Sequence, residues 1–132
     1  MRELEYPQVA GVAPGNGYSH VVTGTGQWVA ISGQVALDPA GAFVGIGDPA
    51  AQAEQVFANL QRCLATVGAS FEHVVKLTYY VTDIGFLPAV RAVRDQYIPG
   101  PKPASTALQV AALFSPDALL EIEAYAVIQR TA

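Results

Sequence analysis

The sequence predicts an α+β fold in which one mixed β-sheet carries two helices on one face. Three observations predict it. Two amphipathic helical stretches, opening at Asp48 and Asp83, are separated by a strand; the segment after Val74 alternates between apolar and polar residues; and each alternating strand offers a single strongly apolar face. The chain has 132 residues, near the size of one domain and enough to bury about two thirds of the open chain's surface. A single domain over residues 1–132 is expected.

Tyr18-Ser19-His20-Val21-Val22 and Trp28-Val29-Ala30-Ile31-Ser32 are short β-rich runs, and Thr23-Gly24-Thr25-Gly26 between them reads as a hairpin turn. Asp38 to Asp48, with Pro39, Gly41, Gly45 and Gly47, is loop with room for one short strand around Phe43. Asp48 caps and Pro49 opens the first helix, on which Ala53, Val56, Phe57, Leu60, Leu64 and Val67 fall at steps of three and four until Gly68. Val74 to Thr82 is a half-buried strand with Val75, Leu77, Tyr79 and Val81 on one face and Lys76, Thr78, Tyr80 and Thr82 on the other. Asp83 can cap a second helix with Pro88 in its opening turn; Phe86, Val90, Val93 and Tyr97 are its apolar stripe, and Pro99-Gly100-Pro101 stops it. Strands over Ser105 to Leu113 and Leu119 to Gln129, joined by a turn through Ser115-Pro116-Asp117, complete the order β-β-α-β-α-β-β.

Seven Lys and Arg against eleven Asp and Glu, with no basic run, make nucleic acid an unexpected partner. Apolar runs are too short to span a bilayer, and Met1-Arg2-Glu3-Leu4-Glu5 lacks the plan of a signal peptide, so a cytoplasmic location and no membrane partner are expected. Cys63 is the only cysteine, which excludes an internal disulfide and a paired-cysteine zinc site; it reads as a small core residue. Only 14% of residues are charged while 52% are apolar, too few charges to cover a monomer, so surface buried between copies of the chain is expected.

The last strand is the most informative, and its paired acids read either as solvated on an open sheet face or as part of a site. Glu121 and Glu123 share one face, and Leu120, Ile122, Ala124, Ala126 and Ile128 form the other, so the carboxylates point away from the helices. Leu119, Tyr125 and Val127 lie beside the acids. That partly apolar face, covered by another subunit, would leave an acid in a desolvated cleft where it can hold a proton or direct a water. Other constellations are missing: there is no Gly-x-Ser-x-Gly elbow or His-Glu-x-x-His, and His20 and His73 read as surface or cap residues without metal-ligand spacing. Gly24-Thr25-Gly26 precedes a strand and reads as a turn, not a phosphate loop. Arg94 with Asp95 reads as surface charge, and spacing leaves open whether Arg91 reaches a cleft.

Tyr18, Ile31-Ser32-Gly33-Gln34, the helix from Asp48, Val75-Lys76-Leu77-Thr78 with Val81-Thr82-Asp83, Lys102-Pro103-Ala104-Ser105-Thr106 and Glu121-Ile122-Glu123-Ala124 occur in an order that resembles the RidA/YjgF family, the reactive-intermediate deaminases. The resemblance covers nearly the whole chain. It implies a chorismate-mutase-like α+β homotrimer with clefts between subunits. In archetypal members an arginine after Pro-Ala binds the substrate carboxylate, and the first glutamate of the last strand directs the water that hydrolyses an imine or enamine. Glu121 matches that catalytic glutamate, Tyr18 the cleft tyrosine and Gly33 the glycine whose backbone lines the site. Ser105 stands at the arginine position and Ala107 at that of a cleft cysteine. A serine hydroxyl supplies neither the fork of donors nor the charge of a guanidinium. Arg91, about where archetypal members carry a cleft asparagine, offers a displaced cation, with Lys76 as the other candidate. No cofactor or metal is expected. The readings are therefore a hydrolase acting as a deaminase on a small, carboxylate-bearing metabolite, a non-catalytic or regulatory trimer binding such a metabolite in the same clefts, and, against the acidic charge, an endoribonuclease.

Overall fold

An aspartate side chain caps the first helix directly and the 3₁₀ turn that leads into the second. The computed structural model of the chain describes residues 4–129, so Met1, Arg2 and Glu3 of the N-terminal stretch read above lie outside the described residues. Helix α1 (Pro49–Thr66) starts with Ala51 N donating to the Asp48 carboxylate at 3.2 Å, and the chain turns away at Gly68, whose φ is +75°. Of the expected stripe Ala53, Val56, Phe57, Leu60 and Leu64 are buried, with the addition of a fully buried Gln52, whereas Val67 is exposed because the helix ends at Thr66 and Val67 is its C-cap. Asp83 accepts from Gly85 N at 2.8 Å and caps a single 3₁₀ turn, Ile84–Phe86, that runs into α2 (Leu87–Tyr97). The inward stripe of α2 is Leu87, Val90, Val93 and Arg94. Leu87 therefore takes the place expected for Phe86, because the 3₁₀ turn delays the α-helix by one turn.

Four strands form one sheet: β3 (Gln27–Gln34), β4 (Val74–Val81), β5 (Ala104–Gln109) and β6 (Leu120–Ile128), in the order β3-β6-β4-β5. β6 is antiparallel to both neighbours and β4 runs parallel to β5. The sheet is thus mixed, with both helices on one face. Val29, Ile31, Val74, Leu77, Tyr79, Val81, Leu120, Ile122, Ala124 and Ala126 line that face and join the buried residues of α1 and α2 in one core. Val74 takes the place expected for Val75, because the pairing of β4 with β6 slips between Val74 and Lys76. Removing each large side chain from water stabilises the fold by about 1.5–3 kcal/mol.

The expected hairpin over Tyr18–Ser32 does not form. Thr23–Gly24 (β2) pairs with Leu4–Glu5 (β1) in a separate ribbon, and no strand covers 18–22. Ser19 instead bridges Ala104, its N donating to Pro103 O at 3.2 Å and its Oγ to Lys102 O at 2.6 Å. Gly26, at φ +142°, lies so close to Ile128 that a Cβ would meet the carbonyl carbon at 2.8 Å, which ties the turn to the end of β6. The β propensity of 18–22 loses to these tertiary bonds. β5 ends at Gln109, opposite Val81, rather than at Leu113, since a strand ends where its partner does. Phe43 makes one isolated bridge to Leu37. Leu119 packs against the core instead of lying beside the acids, because Gln52 and Thr82 take its backbone groups before β6 begins. Among the described residues no helix is long and apolar enough to cross a membrane.

Candidate functional site

The two acids of β6 lie on the sheet face away from the helices, as the alternation predicts. Glu121 pairs with Tyr80 and Glu123 with Thr78 of β4. The Glu121 side chain crosses to β3, where the pairing slips between Ile31 and Gln34, and lies over Gly33. A Cβ built on Gly33 would stand 2.7 Å from Glu121 Cδ and 2.8 Å from Cγ, so glycine is what makes room for the carboxylate. Desolvation, then the neighbouring Glu123 and Glu121 carboxylates, push the Tyr80 phenol above its ordinary value. On the same face Trp28, 62% exposed, stacks on Tyr125 with ring centroids 5.3 Å apart.

The entry of β6 is set from α1. Gln52 Nε2 donates to Asp117 O at 2.8 Å and Gly45 O at 3.2 Å, and its Oε1 accepts from Leu119 N at 2.9 Å. One buried amide thereby places the backbone two residues before Glu121.

A second group of the expected residues meets at the opposite side of the sheet. Ser105 and Ala107 of β5 are in register with Leu77 and Tyr79, whose side chains point toward the helices. With Tyr18, Tyr79, Arg91 and Arg94 they line a cavity of about 20 Å³ against α2, room for a water-sized group. The Arg91 guanidinium is exposed and forms no ion pair among the described residues. Arg94 is 7% exposed, which corrects its reading as surface charge: Nη1 donates to Gly17 O at 2.9 Å, while Nε and Nη2 donate to Asp95 Oδ1 at 3.0 and 2.8 Å. The Arg94 hydrogen bond lowers the Asp95 carboxyl, and the guanidinium holds the loop leading to Tyr18. Lys102 Nζ donates to Ile98 O and lies 3.5 Å from Asp95. Lys76 is not in this cavity; it lies on the other face, donating to Thr106 Oγ1 at 2.8 Å. A larger hollow, about 730 Å³ between Tyr6, Phe71 and Tyr97, holds none of the expected residues.

The structure thus gathers Tyr18, Arg91, Ser105 and Ala107 in one place and Gly33 with Glu121 in another, and within one chain the sheet separates them. Sequence reasoning missed Arg94, Tyr79 and Gln52 as parts of the site or its support. Their signals were present: Leu87, Val90 and Arg94 are helix neighbours on one stripe, Tyr79 puts a phenol in an apolar row, and Gln52 precedes Val56 by one turn. His20 Nε2 donates to Ala13 O at 2.6 Å and His73 Nδ1 accepts from Ser70 N at 3.0 Å, so both keep the surface and cap roles expected. Among the described residues no cluster of His, Cys, Asp or Glu is arranged to hold a metal.

This arrangement has counterparts. The family model described as Endoribonuclease L-PSP matches residues 10–128. Protein DfrA of Myxococcus xanthus is 41% identical over 111 residues, 83% of this chain and 84% of that protein. A rat protein named 2-iminobutanoate/2-iminopropanoate deaminase is 38% identical over 97 residues, 74% of this chain and 70% of its own. The crystal structure of YyfB from Yersinia pestis, a protein of the Rid family, superposes with a TM-score of 0.88 at 34% identity, covering 96% of this chain and 99% of that one. With a family model over most of its length and relatives of this similarity, the chain belongs to the RidA/YjgF family.

Proposed function

We propose that the chain is a hydrolase that deaminates small imino acids in clefts between the subunits of a homotrimer. The observation that carries this reading is the separation of two half-sites: Glu121 over Gly33 on one sheet face, and the cavity of Tyr18, Arg91, Ser105 and Ala107 on the other. A carboxylate and an anion binder act on one molecule only if the face of one copy meets the cavity edge of the next. The exposed Trp28 beside Tyr125 and the low charge content supply the apolar surface for that contact.

In such a cleft Arg91 binds the substrate carboxylate and Ser105 donates a single hydrogen bond. Glu121 takes a proton from water as the oxygen attacks the C=N carbon. It returns that proton to nitrogen to give a carbinolamine, then carries the carbinol O–H proton to the amine as the C=O bond forms and the C–N bond breaks, and a keto acid and ammonia leave. The relatives named 2-iminobutanoate/2-iminopropanoate deaminase support the reaction class. The acidic chain argues against an endoribonuclease.

The test uses 2-iminobutanoate made in situ by an amino-acid oxidase, with 2-oxobutanoate formation followed against the spontaneous rate. Wild type should accelerate hydrolysis, and Arg91→Gln should lower kcat/KM by about 10- to 100-fold. Sedimentation should give a trimer. Ligand binding without acceleration favours the non-catalytic, regulatory reading, and a stable monomer overturns the cleft.

A further inference from the structure

Tyr79 is 4% exposed and lines the cavity, yet its hydroxyl has no hydrogen-bond partner in good geometry among the described residues. Buried hydroxyls left in that state are rare because each costs free energy to desolvate. Burial pushes the phenol up, and the Arg94 guanidinium beside it draws it part of the way back. A guanidinium has only protons to give, so it can serve the phenol oxygen but never the phenol proton. That proton is left at the cavity wall without an acceptor.

The remaining wall has the same character. Each polar side chain on it, Asn16, Tyr18, Tyr79, Arg91, Arg94 and Ser105, can donate a proton, and none carries negative charge. We propose that Tyr79 is a ligand-contacting specificity residue, whose O–H donates to one oxygen of a small carboxylic acid while Arg91 carries the ion pair. This rests on the reading of the cavity as the anion-binding half of the site. The volume of about 20 Å³ admits one oxygen-sized group, so one carboxylate oxygen enters and the rest of the acid stays at the mouth. Burial holds the phenol at a pKa of about 12, so it remains a donor across the neutral range. A site built this way discriminates against amines and against ligands without an acceptor at that point, more strongly than it senses a methylene.

The decisive experiment compares wild type with Tyr79→Phe, which removes one oxygen and keeps the ring. Calorimetric titration with 2-oxobutanoate and steady-state turnover of 2-iminobutanoate are read beside thermal denaturation. The expected result is a Kd and a KM raised about 10-fold, kcat changed less than 3-fold, and a Tm equal to or above that of wild type, since a hydroxyl without a partner has been removed. Unchanged Kd and KM overturn the proposal. A lowered Tm with unchanged binding also overturns it, assigning the hydroxyl to a buried water or a subunit contact. The two readings fail separately. If wild type binds 2-oxobutanoate more tightly than the Tyr79→Phe variant does, but no imine is turned over, Tyr79 stands and the deaminase reading falls. If turnover is seen and is equal in both proteins, the deaminase reading stands and Tyr79 falls. A wild type that neither binds nor turns over overturns both.

Discussion

The Glu121 carboxylate occupies the space over Gly33 that any side chain at residue 33 would fill. Gly33→Ala should therefore act on Glu121 before it acts on the fold. The added Cβ would meet Cδ at 2.7 Å, and the end of a flexible side chain can swing aside. We expect a stability loss of about 1–2 kcal/mol in urea denaturation and a fall in imine turnover of at least about 10-fold. Full turnover in the alanine variant would show that the position of the carboxylate over Gly33 is irrelevant to the chemistry.

Glu121 and Glu123 provide an internal comparison, because they share a face and a strand. Glu121→Gln keeps the shape and removes the base, so turnover should drop by about 100-fold or more while the sedimenting species is unchanged. Glu123→Gln, which removes an acid that stays on the sheet face, should cost about 3-fold or less. Equal effects of the two substitutions would remove the distinction between a catalytic acid and a polar sheet face.

Gln52 should matter to stability more than its polarity suggests. Gln52→Leu leaves the Asp117 carbonyl and the Leu119 N–H without their partner, while the Gly45 carbonyl keeps only its bond from Asp48 N. A loss of about 3 kcal/mol is expected, seen as a lower urea midpoint with an unchanged slope.

Burial raises Tyr79 from 10.0 to about 12, so between those pH values the unfolded chain releases this proton while the folded chain keeps it. The folded state then binds more protons than the unfolded one, and stability falls as pH rises through this window, by about 1.4 kcal/mol per pH unit at most. The contribution is intact below pH 10. Tyr79→Phe should flatten this part of the alkaline unfolding curve, and an unaltered slope would assign the loss to other tyrosines.

Elements whose own residues dictate them were legible in the sequence: α1 from its Asp48 cap and apolar spacing, β4 and β6 from their alternation, and the outward acids of β6 from the same alternation. The segment 18–22 was not, because its local pattern suits a strand while its bonds run to Lys102 and Pro103, far along the chain. Arg94 was misread for a related reason. A charge next to Asp95 looks solvated until the Gly17 carbonyl, far off in sequence, is found to need it. Of the site, the residues of each half were recognisable, but their assignment to opposite faces required the register of β5 on β4.

The sheet that separates the two half-sites has a genetic consequence. If each cleft draws Arg91 from one subunit and Glu121 from its neighbour, a chain carrying Arg91→Gln and a chain carrying Glu121→Gln damage different sides of the same cleft. Any ring of three that contains both kinds of chain has one junction where the intact sides face each other. Two impaired chains would then recover turnover when expressed together, as intragenic complementation, whereas a chain bearing both substitutions would rescue neither.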